Sequence, residues 1–225
     1  MHIEPGLVDT TKIFLSYATA TAAAGYATKL AWDMVRRESV VALLARSLIA
    51  AALVFAFFEV LPHHPVGVSE VHLIMGSTLL LVLGAAPAAI GLAVGLGIQS
   101  LFFAPADLPQ YGMNVTTLLV PLFAIHALAR RIIAPATAYV DIRYAQAFKL
   151  SATYQGGIVM WVGFWALYGQ GFTAANLESI GSFGAAYMTV VLLEPLVDLA
   201  VLAAAKQFKR LQGSAAVEPR LYAAA

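Results

Sequence analysis

Seven apolar stretches, separated by breaks rich in proline and glycine, constrain this chain more than any other feature. A helix needs about 20 mostly apolar residues to cross a bilayer, fewer where other helices cover part of its length. The stretches run at residues 11–35, 39–61, 71–86, 87–104, 113–133, 150–168 and 179–208, the third short and the fourth opened by Pro87. The separators "PHHPVG", "GAAP", "APADLPQYG" and "GQGFTAANLE" carry the residues that end helices and set turns. Of 225 residues 61% are hydrophobic and 11% charged, against roughly 45–50% and about 25% in soluble domains. The expected fold is an all-α membrane protein, a bundle of about seven transmembrane helices integral to the cell (inner) membrane and surrounded by lipid. Residues 1–210 form one transmembrane domain in this reading, and 211–225 a flexible cytoplasmic tail.

Lysine and arginine orient such a bundle, because cytoplasmic loops retain them. Arg36 and Arg37 follow the first stretch; Arg130, Arg131, Arg143 and Lys149 lie between the fifth and sixth; Lys206, Lys209 and Arg210 follow the seventh. The alternate loops, at residues 62–70, 105–112 and 169–178, contain neither residue type. The N-terminus is therefore expected outside and the C-terminus inside. His2, His63, His64 and His72 then share the extracytoplasmic face, and only His126 lies near the cytoplasmic one. His63 and His64 read first as ordinary loop residues, and His126 as structural.

A net charge of +1 points to no nucleic-acid partner, which would require a clustered basic surface. The chain has no cysteine, so a transition metal must be held by nitrogen or oxygen. The opening residues lack the basic region, short apolar core and cleavage site of a signal peptide, and are expected in the mature protein. No Walker A motif, dinucleotide fingerprint or nucleophile elbow occurs, so no enzymatic activity and no organic cofactor are expected.

A histidine directly after Met1 offers unusual donors. The α-amino nitrogen of Met1, the deprotonated amide nitrogen of His2 and its imidazole close a five-membered and then a six-membered ring around one ion. Three nearly coplanar nitrogens favour tetragonal Ni(II) or Cu(II) over zinc, with cobalt less directly implied. Binding releases protons, so affinity falls with pH. The best fourth donor is His72, expected to begin the third helix after a flexible loop, "PVGVSE"; the competing reading is a buried histidine bonded to a backbone carbonyl.

The opening "MHIEPG" resembles the start of the CbiM/NikM family, the substrate-binding membrane components of cobalt and nickel energy-coupling-factor transporters. The similarity continues through "VHLIMGSTLLLVLGAAPAAIGLAVGLGIQSLFF" and, at Gly112 and Asn114, through "YGMNV". It is clear over about the first 130 residues and weak beyond. The resemblance implies a metal site made by Met1, His2 and His72, with the N-terminal segment tucked into the bundle through a turn at Pro5 and Gly6. Asn114, Gln99 and Ser69 become candidates for hydrogen bonds that orient the imidazoles, and His63 and His64 for the path inward. Gln99 has interhelical packing as its competing role. The transported ligand would be Ni2+ or Co2+, and the partners a transmembrane coupling subunit with cytoplasmic ATPase subunits.

Three features depart from the family pattern: Glu4 precedes Pro5, Gly76 lies four residues past His72, and the last stretch reads Glu194-Pro195. Pro195 is expected to kink its helix, with Glu194 pairing with Asp198, Arg46 or freed backbone rather than acting as a ligand. Arg46 is expected to snorkel to the cytoplasmic surface. Glu59 and Glu70 lie toward the outer face, to attract a cation or simply meet water. Alanine pairs spaced by four in the first stretch, such as Ala18 and Ala22, suit a close helix neighbour in the same chain or in a coupling subunit. The aromatic "VMWVGFWALYGQ" suits contact with lipid, pigment or another subunit. Two other functions fit the sequence: a stand-alone metal permease, and a non-transporting structural subunit of a larger membrane complex.

Overall fold

The computed structural model describes residues 2–223. Seven α-helices build it: α1 Phe14–Arg37, α2 Val40–Glu59, α3 Gly76–Leu83, α4 Ala85–Phe102, α5 Tyr111–Ile132, α6 Tyr144–Gln170 and α7 Ala174–Gln207. Among the described residues four segments are long and apolar enough to cross a membrane: α2, α4, the stretch Pro105–Ile132 that ends as α5, and α7. Helices α1 and α6, of 24 and 27 residues, have the length but a more polar composition. Leu48, Met160 and Leu192 remain exposed on the bundle's flanks, as suits a surround of lipid tails no more polar than leucine itself.

Helices α2 and α4 pack through glycine. A Cβ on Gly91 would stand 2.2 Å from Cβ of Ala50, and one on Gly95 would stand 2.7 Å from Cγ1 of Val54. Close backbone approach of this kind is what "GLAVG" permits, because within lipid helices associate by packing. Helix α6 crosses α5 where Gly157 meets Pro121, and Trp161 Nε1 donates to Thr116 Oγ1 at 3.1 Å.

The third helix is shorter than expected. His72 does not begin it: residues 64–71 form an antiparallel hairpin, β1 His64–Val66 and β2 Ser69–Val71, with Val66 opposite Ser69. The "PVGVSE" loop is thus mostly strand. Short apolar runs do not distinguish strand from helix by periodicity, and β-branched Val66 and Val71 fit the pleated geometry. Gly67 makes the turn at φ +61°, pressed against the Ser179 carbonyl. The N-terminal segment lies along this hairpin, with Ile3 bridged to Ser69. The Glu70 amide donates to the His2 carbonyl at 3.1 Å and the Glu4 amide to the Val68 carbonyl at 3.2 Å. Ile3 is fully buried, which contributes roughly 2 kcal/mol to holding the segment in place. Gly6 turns the chain at φ +84°, and Gln170 Nε2 donates to the Leu7 carbonyl at 2.8 Å.

Helices α6 and α7 start earlier than hydropathy suggests because their first turns are polar. Thr173 caps α7 by accepting from the Asn176 amide, and Gln146 accepts from the Arg143 amide at the start of α6. The aromatic part of α6 is used largely within the chain: Trp165 is fully buried and packs edge-on against Phe164 and Tyr168.

At the end of the bundle opposite the hairpin, two expectations are corrected. Arg46 does not snorkel; it is buried, paired with Glu38 and with Glu218 at 3.3 Å, and its Nε donates to the Ala215 carbonyl at 3.0 Å. Glu218 and Ala215 come from the segment expected as a free tail, which is docked through Val217 to Tyr222. Val217 and Leu221 are buried, the Glu218 amide donates to the Val82 carbonyl at 2.8 Å, and Arg220 donates to the Ala134 carbonyl at 2.8 Å. Hydropathy sees only "GSAAVEPRLYAAA", in which two apolar anchors are too few to signal docking.

Candidate metal centre

The site lies where the N-terminal edge strand, the hairpin and the ends of α2, α4 and α5 meet. Its backbone comes first. Asn114 Oδ1 accepts from the Ile3 amide at 2.9 Å, and Ser69 Oγ donates to the His2 carbonyl at 2.9 Å. Both side chains are fully buried. They fix both polar atoms of the His2–Ile3 peptide unit, so the His2 ring is aimed before any ligand arrives.

The ring itself is held by α4 and by the turn Pro105–Gln110. His2 Nε2 lies 2.7 Å from Gln99 Oε1, and Nδ1 lies 2.6 Å from Asp107 Oδ2. An amide oxygen only accepts, so Nε2 carries the proton shared with Gln99. Nδ1 is then the nitrogen with an available lone pair, and the carboxylate beside it is off the hydrogen-bonding angle. A lone pair facing a carboxylate calls for a cation between or beside them, either a proton or a metal ion.

His72 completes the centre. Its ring lies 5.9 Å from that of His2, centroid to centroid, and Phe58 closes one wall against both. Burial holds the His72 imidazole far below the usual histidine range, helped by the neighbouring histidines, so it is neutral. Nε2 donates to Glu70 Oε2 at 2.8 Å, and Nδ1 is buried without a partner. Tyr187 on α7 donates to the His72 carbonyl at 3.3 Å. One donor atom each from His2, His72 and Glu70 lie within 4.8 Å of one another. Two nitrogens and a carboxylate at that spacing suit a borderline divalent transition metal.

Of the residues singled out in the sequence, His2, His72, Gln99, Asn114 and Ser69 converge on this centre. Gln99 acts through a hydrogen bond to His2 as well as through packing. His63 stacks on His72 at 5.0 Å from the exposed side, whereas exposed His64 in β1 makes no side-chain hydrogen bond among the described residues. Met1 lies outside the described residues. Asp107 and Phe58 escaped the sequence reading, and Glu70 was read only as a source of potential. Asp107 is the one carboxylate in the loop 105–112, which is the signal that was available for it.

The family described as CbiM, cobalt uptake substrate-specific transmembrane region, matches residues 2–211. No curated protein matches the chain. A solved structure described as a truncated transition metal transporter superposes with a TM-score of 0.71 at 18% identity, covering 92% of this chain and 99% of that one. That likeness concerns the fold. By the extent of the family match, this multi-pass membrane protein belongs to the CbiM family of cobalt uptake components.

Proposed function

We propose that the chain captures Ni(II) or Co(II) on the extracytoplasmic side, as the substrate-binding component of an energy-coupling-factor importer. The ligands are the Met1 amine, the His2 amide and Nδ1, and an imidazole nitrogen of His72. The observation that carries this reading is the pairing of Gln99 with His2 Nε2, which leaves Nδ1, the nitrogen able to close a six-membered ring with its own amide, without a hydrogen-bond partner. His72 supports it by presenting a neutral ring 5.9 Å away. Glu70 and Asp107 supply negative charge beside an incoming cation, and His63 stands on the exposed side as a first contact.

The orientation rests on the basic residues. Arg130, Arg131, Arg143 and Lys206 gather at the end of the bundle opposite the hairpin, which the positive-inside rule assigns to the cytoplasm. Energy for release would come from a membrane coupling subunit and ATPase subunits. The exposed Ala18 and Ala22 on α1 suit a close helix neighbour there.

Metal titration of the protein beside a version carrying one extra residue before Met1 tests the site. The extension keeps every side chain and removes the amine chelate. Loss of tight Ni(II) and Co(II) binding in the extended protein is expected, and equal affinity in both would exclude the chelate.

A further inference from the structure

Below the metal centre, helix α7 carries two buried carboxylates for which the capture site has no use. Glu194 is fully buried and Asp198 is 1% exposed, one helical turn apart. Among the described residues neither forms an ion pair with lysine, arginine or histidine. Arg46, expected from sequence as a partner for Glu194, is committed to Glu38 and Glu218.

The side-chain neighbours are mostly oxygen, and the Met75 and Ser77 amides also donate to Glu194. Ser77 Oγ lies 2.7 Å from Asp198 Oδ2 and 3.2 Å from Glu194 Oε1, Thr78 Oγ1 bonds to Asp198, and Gln155 Nε2 bonds to Glu194. Donors and acceptors do not balance. Ser77 has one proton for two carboxylate contacts. Gln155 Oε1 is buried with no partner, although its own amide nitrogen rests on Glu194. The Tyr154 hydroxyl is also unpartnered, and its ring abuts Gly76, so close that a Cβ there would stand 2.2 Å from Cζ. Pro195 has no N–H to offer the carbonyl of Val191 one turn back. Two buried carboxylates with no cationic side chain paired to them among the described residues, beside buried oxygens that lack a partner, suit a bound positive charge.

We propose that Glu194 and Asp198, with Ser77, Thr78 and Gln155, form a second cation site, one that binds a divalent ion through oxygen alone. Two carboxylates balance a divalent charge in a medium where a net charge is costly. Carboxylate, hydroxyl and amide oxygens take Mg2+, Ca2+ or Mn2+ readily and later transition ions more weakly than a nitrogen chelate does. The site is tied to the metal centre by short covalent reach. Ser77 lies five residues after His72, and Tyr187, bonded to the His72 carbonyl, precedes Glu194 by seven residues, or roughly 10 Å along α7. The occupant is therefore either the transported ion at a further station inward, which rests on the function proposed above, or a resident Mg2+ or Ca2+ that anchors the start of α3.

The test uses the full chain in detergent, stripped with chelator and dialysed separately against Co(II), Mg(II) and Ca(II), with bound metal counted by elemental analysis. Three proteins are compared: unmodified, extended by one residue before Met1, and Glu194→Gln with Asp198→Asn. For a transported ion at a second station, the expected Co(II) counts are two, one and one. For a resident ion, the unmodified and extended proteins each hold one Mg(II) or Ca(II), and the carboxylate variant holds none. A single equivalent of Co(II) that the carboxylate variant keeps, with no Mg(II) or Ca(II) in any protein, overturns the proposal and leaves a protonated carboxyl pair. Co(II) unchanged on extension of the N-terminus but lost in the carboxylate variant instead defeats the chelate and leaves this site standing. If the carboxylate variant does not fold, Mn(II) electron paramagnetic resonance on the extended protein decides: a bound, broadened signal supports the oxygen site, and only the free aqueous spectrum overturns it.

Discussion

At one end of the bundle Arg46 is enclosed by Glu38, Glu218 and the Ala215 carbonyl, so that each of its three nitrogens has an acceptor. At the other end His2 and His72 are equally buried, yet each retains an Nδ1 without a hydrogen-bond partner. Both ends bury polar groups that are costly to desolvate. The Arg46 end offsets that cost internally and becomes a clamp, closing the C-terminal segment onto α2 and α3. The His2 end leaves part of the cost unmet, and in the proposed function a captured cation would meet it. Buried polarity that is fully paired reads as architecture; buried lone pairs held rigid by paired neighbours support the reading of a binding site.

The sharpest way to break this contrast is at the lone pairs themselves. His72→Ala is expected to reduce Ni(II) or Co(II) affinity by more than about 100-fold, beyond the 10–100-fold typical of supporting residues, with the unfolding temperature of the metal-free protein nearly unchanged. Calorimetric titration together with thermal unfolding in detergent checks both halves; a large stability loss without metal would make His72 architecture after all. Arg46→Ala should do the reverse. Removing one member of a buried pair costs about 3–5 kcal/mol, and since Glu38 and Glu218 are about a quarter exposed a value near 2–3 kcal/mol is expected, with metal affinity retained. Next come the groups that aim the His2 ring. Gln99→Ala and Asn114→Ala should each weaken metal binding by about 10–100-fold, and Gln99→Glu should restore part of the loss because a carboxylate also accepts from Nε2.

The smallest effect is expected at Glu218. Burial raises its carboxyl above the ordinary glutamate value, with Glu38 acting in the same direction and Arg46 and Arg220 opposing. The docked segment therefore binds a proton more readily than the free one. Its docking is favoured fully below the ordinary value of 4.5 and loses that contribution as pH rises through the raised one. Hydrogen exchange at residues 215–222, followed from acid toward neutral pH, should show protection falling by less than about tenfold. Protection that rises with pH would mean that the Arg46 pairing outweighs burial.

Much of the architecture was legible because a bilayer leaves little choice. The second, fourth, fifth and seventh apolar stretches all appear as helices within a few residues of where hydropathy puts them, since backbone polar groups in lipid must be satisfied within the segment. The hairpin at residues 64–71 was not legible, because it lies where length and periodicity say little and pairing with the N-terminal segment decides. His2 and His72 stood out as donor types in unusual places. Asp107 did not, because a single carboxylate in a loop is unremarkable until the fold sets it 2.6 Å from His2 Nδ1.

Composition and pattern alone determined that this chain is a helical membrane bundle with a nitrogen-rich end and a basic end. Those properties follow from hydrophobicity, helix length and charge, which are local and additive. The tertiary structure decided which polar groups are paired and which are left open: Gln99 and Asp107 on one ring, Glu70 on the other, Arg46 with the C-terminal segment, and Glu194 with Asp198 and no cation among the described residues. Pairing depends on distances between residues remote in sequence, His2 and Gln99 being 97 positions apart, and no local property of the chain carries that information.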